Sequence, residues 1–136
     1  MDITVSQMQG RVPVSVLRPH GELDASNYLE LIAKGQEVYN AGARDILLDM
    51  SDIPYMSSSG VMALQSIAAI VRGEEPPDPE GGWGAYHAVH RDRDAGCQQH
   101  FKLLNPQPRV DRVLEMVGFN RFLEIYKDLE TAVASF

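Results

Sequence analysis

The stretch Asp45-Ile46-Leu47-Leu48-Asp49-Met50-Ser51-Asp52-Ile53-Pro54-Tyr55-Met56-Ser57-Ser58-Ser59-Gly60-Val61 decides how the chain is read. Its first six residues are a short apolar run flanked by acids, with the length and flanks of a buried strand rather than a helix. From Val61 onward Leu64, Ile67, Ala68 and Val71 recur at helical spacing, so a helix starts near the serines and stops near Arg72-Gly73. Ser57 or Ser58 then falls at or next to the N-cap, where a hydroxyl accepts a bond from a free backbone N–H. Capping needs only one hydroxyl. A serine at this point also lies beside the positive end of the helix, where a dianionic phosphate is tolerated, and that suits a phosphorylation switch. Gly60 fits either reading, because a missing side chain keeps the approach to the neighbouring hydroxyl open. A hydrolase nucleophile elbow is disfavoured, since Met56 stands two residues before Ser58 where that turn needs Gly.

On the N-terminal side, Ile3 and Val5, then Val12, Val14 and Val16, alternate with the period of half-buried strands joined by a turn at Gly10. Tyr28, Leu31, Ile32, Val38 and Tyr39 give a helix with Ser26 or Asn27 available as its cap and Gly42 as its stop. On the C-terminal side, Phe101 to Leu104 reads as a strand, and Val110, Val113, Leu114 and Val117 as a helix closed by Gly118. Phe122 to Tyr126 is a last strand, and Asp128 caps a last helix. The order is ββαβαβαβα, an α/β fold in which a central mixed sheet of about five strands carries about four helices and any βαβ crossover is right-handed.

The 136 residues suit one domain, with residues 73–99 an insertion rich in Gly, Pro and charge. Hydrophobic content of 44% and charged content of 23% are ordinary for a globular protein, and no apolar run is long enough to cross a membrane. The N-terminus has no basic region followed by an apolar core, and Cys97 is the lone cysteine, so the expectation is a cytoplasmic protein without membrane insertion. A formal charge of −7 disfavours direct nucleic-acid binding and leaves a protein partner or a small ligand open.

Asp49-Met50-Ser51 followed by Ser57-Ser58-Ser59-Gly60 resembles the signature of STAS domains, specifically the bacterial anti-sigma-factor antagonists. Gly21-Glu22-Leu23-Asp24 resembles the motif after that family's second strand. Asn105-Pro106 with Val110, Leu114, Gly118-Phe119 and Ile125 resembles its C-terminal pattern. The resemblance covers about residues 3–72 and 100–136. It implies that Ser58 is the serine phosphorylated by a cognate anti-sigma factor, an ATP-dependent serine kinase, with Ser57 and Ser59 as alternative acceptors. It also implies that Asp24 lies close to Ser58 on the partner-facing surface. In such a system the unphosphorylated antagonist binds the anti-sigma factor and releases the sigma factor, phosphorylation breaks the complex, and a serine phosphatase restores it. No catalysis and no cofactor are implied, and a homodimer stays open. The family usually has Asp directly before the acceptor, where this chain has Ser57. Scaffold or transport-accessory members of the family dock a partner without phosphorylation.

The helix from Val61 to Val71 carries no charge and is apolar almost all round, which means either a partner or further burial within the domain. With Ile53, Tyr55 and Met56 beside it, the favoured expectation is a docking patch around Ser58 made of Asp24, Tyr55, Met56, Ser57, Ser59, Gly60 and Met62. In the insertion, His87, His90, Cys97 and His100 are ligand types at gaps that zinc could use, but they match no recognised finger pattern. An ordinary loop anchored by Trp83 or Tyr86 is the favoured reading there, with no metal.

Overall fold

The computed structural model describes residues 1–73 and 98–136. The first two strands, β1 (Asp2–Gln9) and β2 (Pro13–His20), form an antiparallel hairpin with Ser6 opposite Val16. Helix α1 (Tyr28–Asn40) leads to β3 (Ile46–Asp49), and α2 (Ser58–Val71) follows. After the undescribed segment come β4 (Gln98–Leu104), α3 (Pro108–Val117), a 3-10 turn at Phe119–Arg121, β5 (Leu123–Tyr126) and α4 (Leu129–Ala134). The sheet runs β1-β2-β3-β4-β5, antiparallel in its first pair and parallel in the others. The fold is therefore the α/β arrangement ββαβαβαβα with a mixed sheet.

Strand alternation divides the core. Ile46 and Leu48 turn to one face with Leu17, Phe101 and Leu103, where α1, α2 and α3 supply Leu31, Leu64, Val110 and Leu114. Leu47 turns to the other face with Val14, Val16 and Leu104, against Ala132 and Val133 of α4. Helix ends follow local chemistry. Gly118 takes a left-handed φ of 80° after α3, which an L side chain would resist, and the Asp128 carboxylate accepts the Thr131 N–H at the start of α4. Asn27 caps α1 only through its backbone position; its amide instead bonds Asp24 N–H and the Glu22 carbonyl.

The charge-free helix α2 is covered on nearly every side. From Gly60 to Val71 its residues are buried apart from a half-exposed Met62. Gly35 of α1 admits Ile67 so closely that an added Cβ would lie 3.0 Å from it. On the sheet side, Gln98 Nε2 donates to the Ala68 carbonyl. The expectation of an apolar docking face along the helix is thus corrected: that surface is used inside the domain.

Of the insertion, residues 74–97 lie outside the described residues, and the readings of Trp83, Tyr86, His87, His90 and Cys97 lie there with them. His100 is on β4, its Nδ1 2.8 Å from Asp45 Oδ1. No group of three potential metal ligands is gathered among the described residues.

One feature of the α4 face is invisible in sequence. Lys102, a charged residue on β4, is 3% exposed. Its ammonium meets Glu124 at 3.0 Å, donates to the Ser135 carbonyl at 2.9 Å and lies 4.8 Å from the Phe136 ring centre. Gly10, between β1 and β2, packs against α4 itself, where an added Cβ would come 2.8 Å from the Val133 carbonyl oxygen. Backbone cannot step aside as a flexible side chain does, so Gly10→Ala should destabilise the fold by about 1–3 kcal/mol, measured by chemical denaturation.

Candidate functional site

The candidate site lies where β2 and β3 end and α2 and α3 begin. Beyond β3, Met50 N–H reaches the Leu104 carbonyl and Ile53 N–H reaches the Met50 carbonyl, which pulls Met50 and Ile53 into the core. The chain then runs extended beside the segment after β2. Leu23 N–H donates to the Tyr55 carbonyl at 3.0 Å, and Ser57 N–H donates to the Leu23 carbonyl at 2.9 Å, making an isolated parallel bridge between Leu23 and Met56. Alternation along this bridge sends Met56 inward, 1% exposed, and leaves Tyr55 outside at 38%. Of the expected apolar patch, Ile53 and Met56 are therefore core residues and Tyr55 remains on the surface.

The three serines differ in what their hydroxyls do. Ser57 is the N-cap, in extended conformation, and its Oγ accepts the Ser59 N–H at 3.2 Å. Ser58 is the first helical residue and is exposed, while Ser59 is half-buried. Neither the Ser58 nor the Ser59 hydroxyl has a hydrogen-bond partner among the described residues. Gly60 is buried, and a Cβ there would fall 2.3 Å from Met56 Cγ and 3.1 Å from Leu23 Cδ2. Its lack of a side chain makes room for the bridge residues beneath it. The expectations that Gly60 opens a path to a hydroxyl, and that Gly60 and Met56 form part of the partner-facing surface, are corrected by this packing.

Asp24 directly follows Leu23, so the bridge brings it to the same end of the sheet. Its Oδ1 accepts both the hydroxyl and the N–H of Ser26, and these bonds hold its pKa below the usual carboxylate value. A second set of charges straps the β3–α2 loop to the hairpin. Asp52 Oδ2 lies 3.2 Å from Arg18 Nε and 2.8 Å from His20 Nδ1, and the other ring nitrogen of His20 is 2.8 Å from Thr4 Oγ1. Asp52 also accepts Gly21 N–H through its backbone. Arg18 foremost, then His20, lowers the Asp52 pKa against desolvation. Sequence offered no signal for this strap, because its members come from three separate segments.

Helix α3 closes the site from the side. Gln107 Nε2 donates to the Ser51 carbonyl at 2.7 Å, and the Arg109 guanidinium stands 5.3 Å from the centre of the Tyr55 ring. The surface left accessible here thus contains Asp24, Tyr55, Ser58, the outer parts of Ser57, Ser59 and Met62, and Arg109, which the sequence reading did not single out. The outward charges and exposed Ser58 hydroxyl suit protein recognition and modification of a hydroxyl.

Two changes test this construction. Gly60→Ala gains helix propensity but must displace Met56, so a net loss of about 1–2 kcal/mol is expected in chemical denaturation. Asp52 has its folded pKa below its unfolded one, so its contribution is present above the unfolded pKa and lost as pH falls through the folded one. Asp52→Asn should therefore flatten the acid side of the stability–pH profile between those two pKa values, read as Tm against pH.

Residues 6–74, just over half of the chain, match the family model for the STAS domain. No curated protein matches. Among solved structures, the fold is similar to that of TM1081 from Thermotoga maritima, a proposed anti-sigma factor antagonist, with a TM-score of 0.70 at 21% identity over 96% of this chain and 90% of that one. It is also similar to an anti-sigma factor antagonist from Mycobacterium paratuberculosis, with a TM-score of 0.63 at 17% identity over 98% and 93%. A third likeness is to the Bacillus cell fate determinant SpoIIAA in its phosphorylated form, with a TM-score of 0.54 at 20% identity over 97% and 96%. With the strand-to-helix serine segment and the sheet order that carry it, the chain belongs to the STAS domain family.

Proposed function

We propose that this protein is an anti-sigma-factor antagonist whose partner is a serine kinase and whose phospho-acceptor is Ser58. The observation that carries the reading is the division of labour among the serines: Ser57 caps α2, whereas the exposed Ser58 hydroxyl is unpartnered among the described residues. The likeness to solved antagonists, one of them in a phosphorylated form, supports the class of protein. The chain acts as substrate and ligand and performs no catalysis. When the anti-sigma factor phosphorylates it, the Ser58 Oγ forms a bond to the γ-phosphorus of ATP as the bridging Pγ–O bond breaks. ADP leaves, and the hydroxyl proton passes to a base of the kinase.

The product carries about −1.5 to −2 charges at the end of the sheet that also holds Asp24, so repulsion and the cost of desolvating the phosphate both oppose docking. A phosphatase that returns the hydroxyl restores binding. Ser57 in place of the usual acid favours a second reading, a scaffold or accessory subunit that docks through the same surface without modification. No helix among the described residues is long and apolar enough to cross a membrane.

Incubation with the serine kinase anti-sigma factor of the same organism and ATP, followed by mass-spectrometric mapping, decides between them. Phosphate on Ser58, lost in Ser58→Ala, is the expected result; an unmodified Ser57-Ser58-Ser59 segment would favour the scaffold. Ser58→Glu should weaken binding to that partner at least tenfold, about 1.4 kcal/mol, in calorimetry.

A further inference from the structure

Arg109 stands out at this end of the sheet because its surroundings leave its charge unused. Three of the acids at this end of the sheet are already engaged: Asp24 by Ser26, Asp49 by the Ser51 N–H, and Asp52 by Arg18 and His20. Arg109 is exposed, and no carboxylate lies within ion-pair distance of it among the described residues. Its contact is the face of Tyr55, at 5.3 Å. Tyr55 and Ser57 are two residues apart on one extended segment and therefore project from the same side, with Cα atoms about 7 Å apart. Ser58 follows at once. The guanidinium is on a flexible stem in the first turn of α3, whose N-cap residue Gln107 is bonded to the Ser51 carbonyl, so it belongs to the same end of the sheet as the acceptor.

We infer that Arg109 is the phosphate-binding residue of the modified protein: with a phosphate on Ser58, its guanidinium leaves the Tyr55 ring and pairs with the phosphate in cis. The exchange is favourable in kind, because a planar guanidinium makes paired charge-assisted bonds to phosphate oxygens, whereas over an exposed phenol ring it gains only a weak cation–π contact. Phosphorylation then alters the docking surface twice: it adds charge at Ser58 and uncovers Tyr55. The inference rests on Ser58 as the modified residue. The other charged groups on the segments meeting here are Arg18, His20, Glu22, Asp24, Asp49, Asp52, Asp111, Arg112 and Glu115, and α2 itself contributes none before Arg72.

Phosphoserine installed at Ser58 by genetic code expansion allows a test independent of any kinase, with the second phosphate pKa read by phosphorus NMR titration. The dipole of α2 acts equally on every variant, so differences between variants report the side chains. Removing the paired cation should raise that pKa by about one unit in Arg109→Gln, with partial recovery in Arg109→Lys and little change in Arg112→Gln. Equal values in the parent and Arg109→Gln, or equal shifts from both arginine replacements, would overturn the inference. Circular dichroism of the variants separates a local effect from misfolding, and Arg109→Lys keeps the test decisive if Arg109→Gln misfolds. Absence of kinase phosphorylation on the unmodified chain would remove the proposed function and leave the titration result standing.

Discussion

A helix without a charge from Ser58 to Val71 can be held in water only if nearly all of its sides are covered, and this requirement organises the rest of the molecule. The sheet covers one side through β4, and α1 covers another by giving up a side chain at Gly35. What remains accessible is the N-terminal end, where Ser58 emerges. A residue presented this way sits on a rigid support: the helix beneath it cannot tilt without opening the core around Ile67 and Leu64.

The parts of this arrangement fixed by short-range chemistry were legible in the sequence. Element order follows from alternation in Val12-Val14-Val16 and from helical spacing after Val61. Gly118 marked its turn, and the Ser57–Ser58 pair marked the start of α2 to within a residue. The parts that depend on distant pairing were not. Whether Tyr55 or Met56 faces water is decided by hydrogen bonds to Leu23, more than thirty positions earlier, because a one-residue change of register reverses which side chains point inward. An all-round apolar helix reads the same whether a partner or its own domain covers it. Lys102 is buried only because Glu124 and the Ser135 carbonyl converge on it, and nothing adjacent in sequence announces either.

Charge at the site is also set by specific contacts, both local and distant in sequence. Acidic composition alone suggests a negative surface, yet Asp52 is met by Arg18 and His20, and Asp24 is turned onto Ser26. These attachments hold the two loops in place at the same time as they occupy the carboxylates. Local electrostatics around Ser58 therefore differ from what the net charge of −7 suggests.

The bridge between Leu23 and Met56 has a bearing on how such a protein diversifies. Its hydrogen bonds are made by backbone atoms, and its inward side chains are locked by the space above Gly60. The outward positions, Tyr55 and Ser57, take their placement from that backbone and not from their own identities. Substitution there can rewrite the recognition surface while the loop keeps its path, so duplicated copies of one ancestral chain could drift toward separate partners without first having to refold.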